Sequence, residues 1–483
     1  MRHIQLAFAA LLIILPLTSS TKSFDKSTKD ETNGHRIEVT INDLKNKDLY
    51  LGFHYGRKQF LQDTIQLDEN GHGVFRGDKK LDQGIYLVIT PSKNYFEILV
   101  GQDQHFSLET QKGNFLETLS FKGSEVNEGF IEYQKFMREK NQISRKYQKK
   151  LKKNKENSDS TEILRNKLEA LDKEVKAKWN SLIEEYQGTI LAAIIKAMQE
   201  PEIPDFNAPE DAANKDSVKW AKKYNYQKNH YFDNIDLSDP RLVKTPILHN
   251  KVKHYFDNVL RQNPDTIIKY VDKVLGTARE NDQTFEYLAR FLINHYQKSK
   301  IMGMDEVFVH ISEKYYLSGD AHWIDSASLK KLRDRVQKIK PNIIGKTAPD
   351  MNLPTINNKS ARLHNIDSKY TIVYFWEPGC SHCQKVTPKI YDLYKSYDRK
   401  TLDVYAVYTQ VDKKKWEKYI NKHGFDWINV FDPYNTSKFR KKYDIYSTPT
   451  IYLLDEEKKI IAKRIGHDAL KKMLKQKVGK QND

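Results

Sequence analysis

The sequence predicts a multidomain chain with an N-terminal all-β sandwich, a central all-α region and a C-terminal α/β domain. Short apolar segments separated by Gly- and Pro-containing turns extend to about residue 123. Apolar residues then recur every three or four positions to about residue 340, and strand and helix patterns alternate from Ile344 onward. A chain of 483 residues is also too long for a single hydrophobic core.

The first twenty residues have the pattern of a secretory signal peptide. Arg2 and His3 form a short basic segment, residues 4–17 are apolar, and small residues suited to cleavage follow at positions 18–20. The apolar segment is too short for a helix that spans a membrane. We therefore expect an exported protein of the periplasm or cell envelope, with an uncleaved anchor as the main alternative.

Residues 35–123 are predicted to form a small antiparallel β-sandwich or barrel. Residues 36–41 alternate between apolar and polar, and Asp-Glu-Asn-Gly at residues 68–71 is typical of a turn between two strands. The histidines of this region, His54, His72 and His105, are widely spaced, so the pattern does not indicate a ligand cluster. This region is therefore interpreted as an accessory domain.

Residues 124–340 are predicted to be helical and to include a long helical hairpin. One arm covers residues 126–154, and apolar residues at helical spacing from Leu164 to Tyr186 mark the second arm. Prolines between residues 341 and 354 interrupt the helical period and mark a boundary near residue 342. The last domain is expected to occupy residues 344–480.

The formal charge of +17 raises the question of a nucleic-acid partner. The lysines are interleaved with acidic residues along the helical segments, which is typical of solvated helix faces. We therefore predict no nucleic-acid partner.

Cys380 and Cys383 are the only cysteines in the chain, and they follow the apolar segment 371–376 and precede a helical pattern. A structural disulfide elsewhere is excluded, as is a zinc site of four thiolates within one chain. Two cysteines with two residues between them at a strand-to-helix junction indicate a redox pair. We expect no cofactor and no bound metal; distant histidines such as His423 and His467 do not support a zinc site.

The C-terminal segment resembles the thioredoxin fold of TlpA/ResA-like and AhpC/TSA-like proteins. The matching residues are 345–349, 374–376, Cys380, Cys383, Pro388, Thr448 and Pro449. The two upstream regions resemble the accessory domains that precede thioredoxin domains in envelope proteins of Bacteroidetes. The resemblance implies thiol–disulfide oxidoreductase activity, with a cis-proline at Pro449 beside the cysteines; the alternative is a plain turn proline.

Cys380 would lie at a helix N-terminus, where free N–H groups and the helix dipole favour a thiolate. It would attack a partner disulfide, and the more buried Cys383 would then resolve the mixed disulfide. His382, when protonated, would favour the thiolate further and raise the reduction potential. The alternative for His382 is an inert loop residue.

The other predicted site residues flank this pair. Trp376 is expected to pack beside the site, with a substrate contact as a second role, and Thr448 precedes the proline. The resemblance also reveals a departure, because thioredoxins carry a buried acid where this chain has Tyr374. Some TlpA/ResA-like reductases carry a glutamate where this chain has Val386. Glu377 is the candidate to replace the missing proton acceptor.

The main hypothesis is an exported thiol–disulfide oxidoreductase that reduces disulfides of envelope proteins, with oxidation or isomerisation as alternatives. No dinucleotide-binding fingerprint is visible, so electrons would come from another thiol protein, for which a membrane-embedded donor is one candidate. The second hypothesis is a protein-binding or scaffold module of the envelope with a redox-sensing thioredoxin-like domain. A peroxidase is less well supported, since no threonine and arginine accompany the cysteines in the peroxiredoxin pattern.

Overall fold

The structure is a computed structural model that describes residues 34–153 and 158–479. The predicted signal peptide, residues 1–20, lies outside these ranges. The chain divides into two compact units: one holds the described residues up to Leu260 with Gly276–Tyr287, and the other holds Arg261–Leu275 with the described residues from Leu288 onward. The division lies inside the helical region. The domain limits 35–123, 124–340 and 344–480 follow changes of sequence pattern and stay predictions.

The N-terminal region is a β-sandwich, as predicted. Its elements are β1 (His35–Asn42), β2 (Asp48–Tyr55), β3 (Lys58–Gln66), β4 (His72–Gly77), β5 (Gly84–Ile89), β6 (Tyr95–Val100), β7 (His105–Gln111), α1 (Phe115–Thr118) and β8 (Ser120–Lys122). They form two four-stranded sheets in the orders β4-β1-β7-β8 and β3-β2-β5-β6. Inward side chains such as Ile37, Leu51 and Ile98 share one hydrophobic core.

One strand pairing in the sandwich differs from the prediction. β1 pairs with β7 in parallel, whereas wholly antiparallel pairing was expected. Strands about seventy residues apart pair according to the order of the strands in the folded sheet. The alternation of apolar and polar residues within one strand does not reveal its neighbour or the neighbour's direction.

The central region is helical, as predicted. Its α-helices are α2 (Glu125–Lys153), α3 (Ser158–Glu185), α4 (Ile190–Met198), α5 (Lys215–His230), α6 (Pro240–Val243), α7 (Pro246–His254), α8 (Pro264–Ala278), α9 (Asp282–Gln297), α10 (Asp305–Ile311) and α11 (Ser326–Ile339). π-helical turns at Tyr255–Val259 and Ser312–Tyr316 extend α7 and α10. No helix within the two described ranges is long and apolar enough to cross a membrane.

The predicted helical hairpin is formed by α2 and α3, which pack against each other. Ion pairs join the two helices, for example between Lys140 and Glu174 at 2.6 Å. The buried side chain of Asn127 on α2 accepts a hydrogen bond from the N–H of Leu99 at 2.7 Å and donates one to its carbonyl oxygen at 2.8 Å. This two-point contact attaches α2 to the edge of β6.

The C-terminal region is the α/β fold that the sequence predicts. Its elements are β9 (Asn352–Pro354), β10 (Ser360–Arg362), β11 (Tyr370–Trp376), α12 (Ser381–Lys395), β12 (Leu402–Tyr408), α13 (Lys413–His423), β13 (Ile428–Phe431), α14 (Phe439–Lys442), β14 (Thr450–Leu454), β15 (Ile460–Lys463) and α15 (His467–Gly479). The main sheet has the order β13-β12-β11-β14-β15. β11, β12 and β13 are parallel to one another, whereas β14 and β15 are antiparallel to their neighbours.

Both faces of β11 are buried, which explains its continuous apolar sequence. Tyr374 and Trp376 pack with α12, α13 and α15 on one face. Val373 and Phe375 pack with α14 and with buried residues between 348 and 366 on the other face. The carboxyl ends of β11, β12 and β13 meet at one sheet edge, where β14 begins. The cysteine turn and the Thr448–Pro449 segment therefore lie at this edge.

Candidate active site

The cysteine pair lies at the junction of β11 and α12, as the sequence predicts. The Trp376 carbonyl oxygen, at the end of β11, accepts a hydrogen bond from the N–H of Thr409 at 3.0 Å. The side-chain amide of Gln384 donates to the carbonyl oxygen of Pro378 at 2.8 Å, which closes the turn onto the first helical turn. Cys380 is thereby held as the N-cap residue of α12.

The Cys380 thiol is half-buried and has partners on two sides. Its Sγ atom accepts a hydrogen bond from the N–H of Cys383 at 3.3 Å and lies 3.4 Å from the carbonyl oxygen of Thr448. Burial alone would raise the pKa of Cys380. Hydrogen bonds from Cys383, Thr448 and the His382 backbone outweigh burial and hold this pKa below its ordinary value of 9.0. The thiolate of Cys380 is therefore favoured.

The Cys383 thiol has the opposite environment. Its side chain is fully buried in the first turn of α12. Burial raises its pKa to about 12, although a hydrogen bond from the backbone N–H of Glu377 opposes this increase. Both thiols are free. One turn of helix thus holds a thiol that ionises readily and a second thiol that stays protonated.

The Thr448–Pro449 peptide bond is cis, as predicted. The Thr448 hydroxyl donates a hydrogen bond to Oε1 of Glu377 at 3.1 Å, and the Thr448 carbonyl oxygen faces the Cys380 sulfur. Glu377, Cys380, Thr448 and Pro449 are consequently brought together, and the fully buried Cys383 lies one helical turn away from Cys380.

The side chains of Trp376 and His382 are not part of this group: the first is buried at the end of β11 and the second is exposed to solvent. Trp376 is fully buried, and its ring stacks parallel to that of Tyr374 at 6.2 Å between centroids. The expected packing role therefore fits its position, and the substrate contact stays a prediction. His382 is exposed, and only its backbone is among the groups that hold the pKa of Cys380 down.

Tyr374 occupies the position at which thioredoxins carry a buried acid. The Thr387 hydroxyl donates its hydrogen to the carbonyl oxygen of Cys383 at 2.7 Å, so the Tyr374 hydroxyl donates to Thr387 Oγ1 at 2.8 Å. Burial raises the pKa of Tyr374 far above its ordinary value of 10.0. Tyr374 therefore stays neutral and cannot replace a carboxylate as a proton acceptor.

Sequence reasoning missed Lys415, which lies beside the cysteine turn. Its Nζ atom is 3.4 Å from the point where a Cβ atom on Gly379 would lie. Lys415 is in the first turn of α13, and its N–H is capped by Asp412 at 3.0 Å. β12 is parallel to β11, so its carboxyl end reaches the same sheet edge. Residues 412–415 follow the carboxyl end of β12, so a prediction that β12 lies beside β11 would have placed a lysine near the site.

A groove of about 590 Å³ lies next to the cis-proline. Its lining includes His382, Tyr446, Ser447, Pro449, Arg464 and His467. It is therefore bordered by the start of α12, the segment before β14 and the connection from β15 to α15. In the residues that the structure describes, no three His, Cys, Asp or Glu side chains are grouped to hold a metal ion.

This fold and cysteine pair define a thioredoxin-like protein, and comparisons with known proteins agree. A thioredoxin-like family model matches residues 367–460, and a model for a domain of unknown function, DUF5106, matches residues 143–342. The thiol-disulfide oxidoreductase ResA of Bacillus thuringiensis is 25% identical over 123 residues, which are 26% of this chain and 70% of that protein. ResA of Geobacillus thermodenitrificans is 27% identical over 117 residues, covering 24% and 66% of the two chains.

Two solved structures are also similar. A domain of a possible thiol-disulfide isomerase from Cytophaga hutchinsonii is 38% identical, with 29% of this chain and 96% of that chain covered and a TM-score of 0.27. A thioredoxin-like protein from Bacteroides caccae is 21% identical, with 57% and 99% covered and a TM-score of 0.43. The family model and the ResA relatives show that the C-terminal part of this chain is thioredoxin-like and similar to the TlpA/ResA-like thiol–disulfide oxidoreductases, with additional domains before it.

Proposed function

We propose that this chain is an exported oxidoreductase that reduces disulfides of envelope proteins through Cys380 and Cys383. The observation that carries the proposal is the contrast between the two thiols. Cys380 is half-buried with a lowered pKa, whereas Cys383 is fully buried with a pKa of about 12. One thiol is suited to attack a partner, and the other is protected from it.

In the first step the thiolate of Cys380 attacks one sulfur of a partner disulfide. A mixed disulfide forms between Cys380 and the partner, the partner's S–S bond breaks, and its other sulfur leaves as a thiolate that takes up a proton. The Cys383 N–H, 3.3 Å from the Cys380 sulfur, stabilises the attacking thiolate. The cis Thr448–Pro449 segment would hold the partner chain beside the sulfur.

In the second step Cys383 loses its proton and attacks the Cys380 sulfur. The Cys380–Cys383 disulfide forms, and the second partner sulfur is released as a thiol, so two electrons pass to the partner. A pKa of about 12 makes this deprotonation the difficult part of the cycle. A second thiol protein, for which a membrane-embedded donor is one candidate, would return the electrons.

Glu377 is the proposed proton acceptor for Cys383. Its backbone hydrogen-bonds to the Cys383 thiol, and its half-buried carboxylate is held by the Thr448 hydroxyl at 3.1 Å. Tyr374 stays neutral, and Val386 has no titratable group. We propose that the ring of the exposed His382, when protonated, adds positive charge near Cys380, and that Trp376 supports the turn by packing.

Export is proposed from the signal-like pattern of residues 1–20, and an envelope substrate follows from that location. Mass spectrometry of the chain recovered from the envelope fraction tests this part. A mature N-terminus close to residue 20 supports export with cleavage.

The equilibrium reduction potential of the Cys380–Cys383 pair, measured by titration with thiol buffers, tests the activity. A value near or below roughly −270 mV supports a reductase. A value near roughly −120 mV indicates an oxidant or isomerase instead. If alkylation of Cys380 left the reduction of a model disulfide intact, the proposed mechanism would be wrong.

A further inference from the structure

The segment that leads into the cis-proline is anchored by a buried carboxylate. Asp444 has a positive φ of 53°, and its side chain is only 2% exposed. Its Oδ2 atom accepts a hydrogen bond from Arg464 at 2.5 Å, and its carbonyl oxygen accepts a second one from the same guanidinium at 2.8 Å. Residues 444–449 form one wall of the groove, so the position of Asp444 determines the position of that wall.

The second partner of Asp444 comes from the helical region. Nη1 of Arg335, on α11, donates to Oδ1 of Asp444 at 2.5 Å and to the hydroxyl of Tyr446 at 3.0 Å. The Arg335 guanidinium also lies over the Tyr446 ring, 5.3 Å from its centroid. Tyr446 is 66% exposed, so Arg335 contributes a large part of what fixes this ring at the rim of the groove.

Arg335 lies in the stretch matched by the family of unknown function and outside the thioredoxin-like match. Three further polar contacts join other residues of the stretch 143–342 to the thioredoxin-like fold. Asn342 donates to the carbonyl oxygen of Lys442 at 2.6 Å. The Lys463 ammonium, whose side chain is 6% exposed, pairs with Asp305 and donates to the carbonyl oxygen of Asn342 at 2.5 Å. Arg335 is therefore one of several residues that join the helical region to the thioredoxin-like fold through specific polar contacts.

The charge balance shows why Arg335 is needed there. Burial by itself would raise the pKa of Asp444, but Arg335 and Arg464 outweigh burial and keep this pKa below its ordinary value of 3.8. A carboxylate that is 2% exposed with only one cation would be partly uncompensated. The wall would then relax toward solvent, and the ring of Tyr446 would lose its support.

We propose that Arg335 is a positioning residue through which the helical region shapes the substrate groove and thereby sets the affinity for polypeptide disulfides. The proposal rests on the proposed function. A polypeptide has to lie along residues 446–449 to bring its disulfide to Cys380, whereas a small organic disulfide needs only the exposed part of the sulfur. Arg335 does not touch either cysteine, so the thiol chemistry itself is unaffected.

The test is single-turnover reduction by the pre-reduced full chain, with oxidised insulin as the polypeptide probe and bis(2-hydroxyethyl) disulfide as the small one. We expect Arg335→Ala to raise the half-saturating insulin concentration roughly tenfold, equivalent to about 1.4 kcal/mol of binding free energy. The maximal rate and the rate with the small disulfide should change by less than about twofold, and the reduction potential should stay that of the wild-type chain. Arg333→Ala, an exposed arginine on the same helix, is the matched control and should behave as wild type.

Two further variants keep the test informative. Arg335→Lys preserves the pairing with Asp444 and should restore most of the insulin affinity. Tyr446→Ala should weaken insulin binding on its own, and combining it with Arg335→Ala should add little, because both act on the same wall. An additive effect of the pair would count against the proposal.

Other results would overturn either the role of Arg335 or the proposed function. An unchanged insulin affinity in Arg335→Ala overturns the proposal, as does an equal loss with both probes or a changed reduction potential, since either indicates a general structural role. If the wild-type chain reduces neither probe, the proposed function fails rather than the role of Arg335.

Discussion

The two thiols should differ greatly in their reaction with alkylating agents. Only the thiolate reacts, so its population sets the rate. Raising the pKa of Cys383 from its ordinary value of 9.0 to about 12 lowers its thiolate population about a thousandfold at any pH below 9. For Cys380 the thiolate population is instead higher than that of an ordinary cysteine at the same pH, because its pKa lies below 9.0. For Cys383 this rise in pKa corresponds to about 4 kcal/mol of additional free energy for ionisation of the thiol.

The single-cysteine variants Cys383→Ser and Cys380→Ser make the comparison directly. Alkylation by iodoacetamide is followed by mass spectrometry between pH 6 and pH 10. We expect Cys380 to react with a midpoint below pH 9. Cys383 should react at least about a hundredfold more slowly at neutral pH, with a rate that still increases at the highest pH. Both variants should react at similar rates in concentrated guanidinium chloride, which is the control for intrinsic reactivity.

Comparable rates for the two folded variants would refute the assignment of attacking and resolving thiols. A slow reaction of Cys383 that does not depend on pH would show that access, and not ionisation, protects it. Burial would then still explain the protection, but the raised pKa would not.

Three other variants test neighbouring groups. Tyr374→Phe removes one hydrogen bond to Thr387 and should cost about 1 kcal/mol in urea unfolding while leaving the release of a trapped mixed disulfide unchanged, because the neutral hydroxyl accepts no proton. Glu377→Gln should slow that release by about a hundredfold with a normal first attack, as expected for loss of a general base, and an unchanged rate would eliminate Glu377 from this role. Asp444→Asn should cost about 2 kcal/mol at pH 7. Since the folded-state pKa of Asp444 is lowered, its stabilising contribution is present above pH 3.8 and lost as the pH falls below it, so the two unfolding curves should converge in acid.

Sequence patterns predicted the features that depend on neighbouring residues. The continuous apolar run of β11 predicted a strand, and the helical pattern directly after the cysteines predicted a thiol at the start of a helix. The cis bond before Pro449 was expected from the resemblance and is present. In each case the information lies within a few residues of the feature.

Features that depend on distant parts of the chain were not predicted. The parallel pairing of β1 with β7 and the contact between Arg335 and Asp444 join residues that are far apart in sequence. Lys415 is 35 positions after Cys380 and reaches the turn only because β11 and β12 are adjacent. The full burial of Trp376 also depends on distant residues, because its ring packs against Tyr419 and Phe425 as well as Tyr374.

The burial of Lys463 limits how freely the thioredoxin-like fold could be transferred between proteins. Both partners of its ammonium, Asp305 and the carbonyl oxygen of Asn342, precede residue 344. A chain shortened to the recognisable fold would keep the lysine and lose both of these partners. The part of the chain that can be exchanged as an independent module is thus longer than the part that resembles thioredoxin.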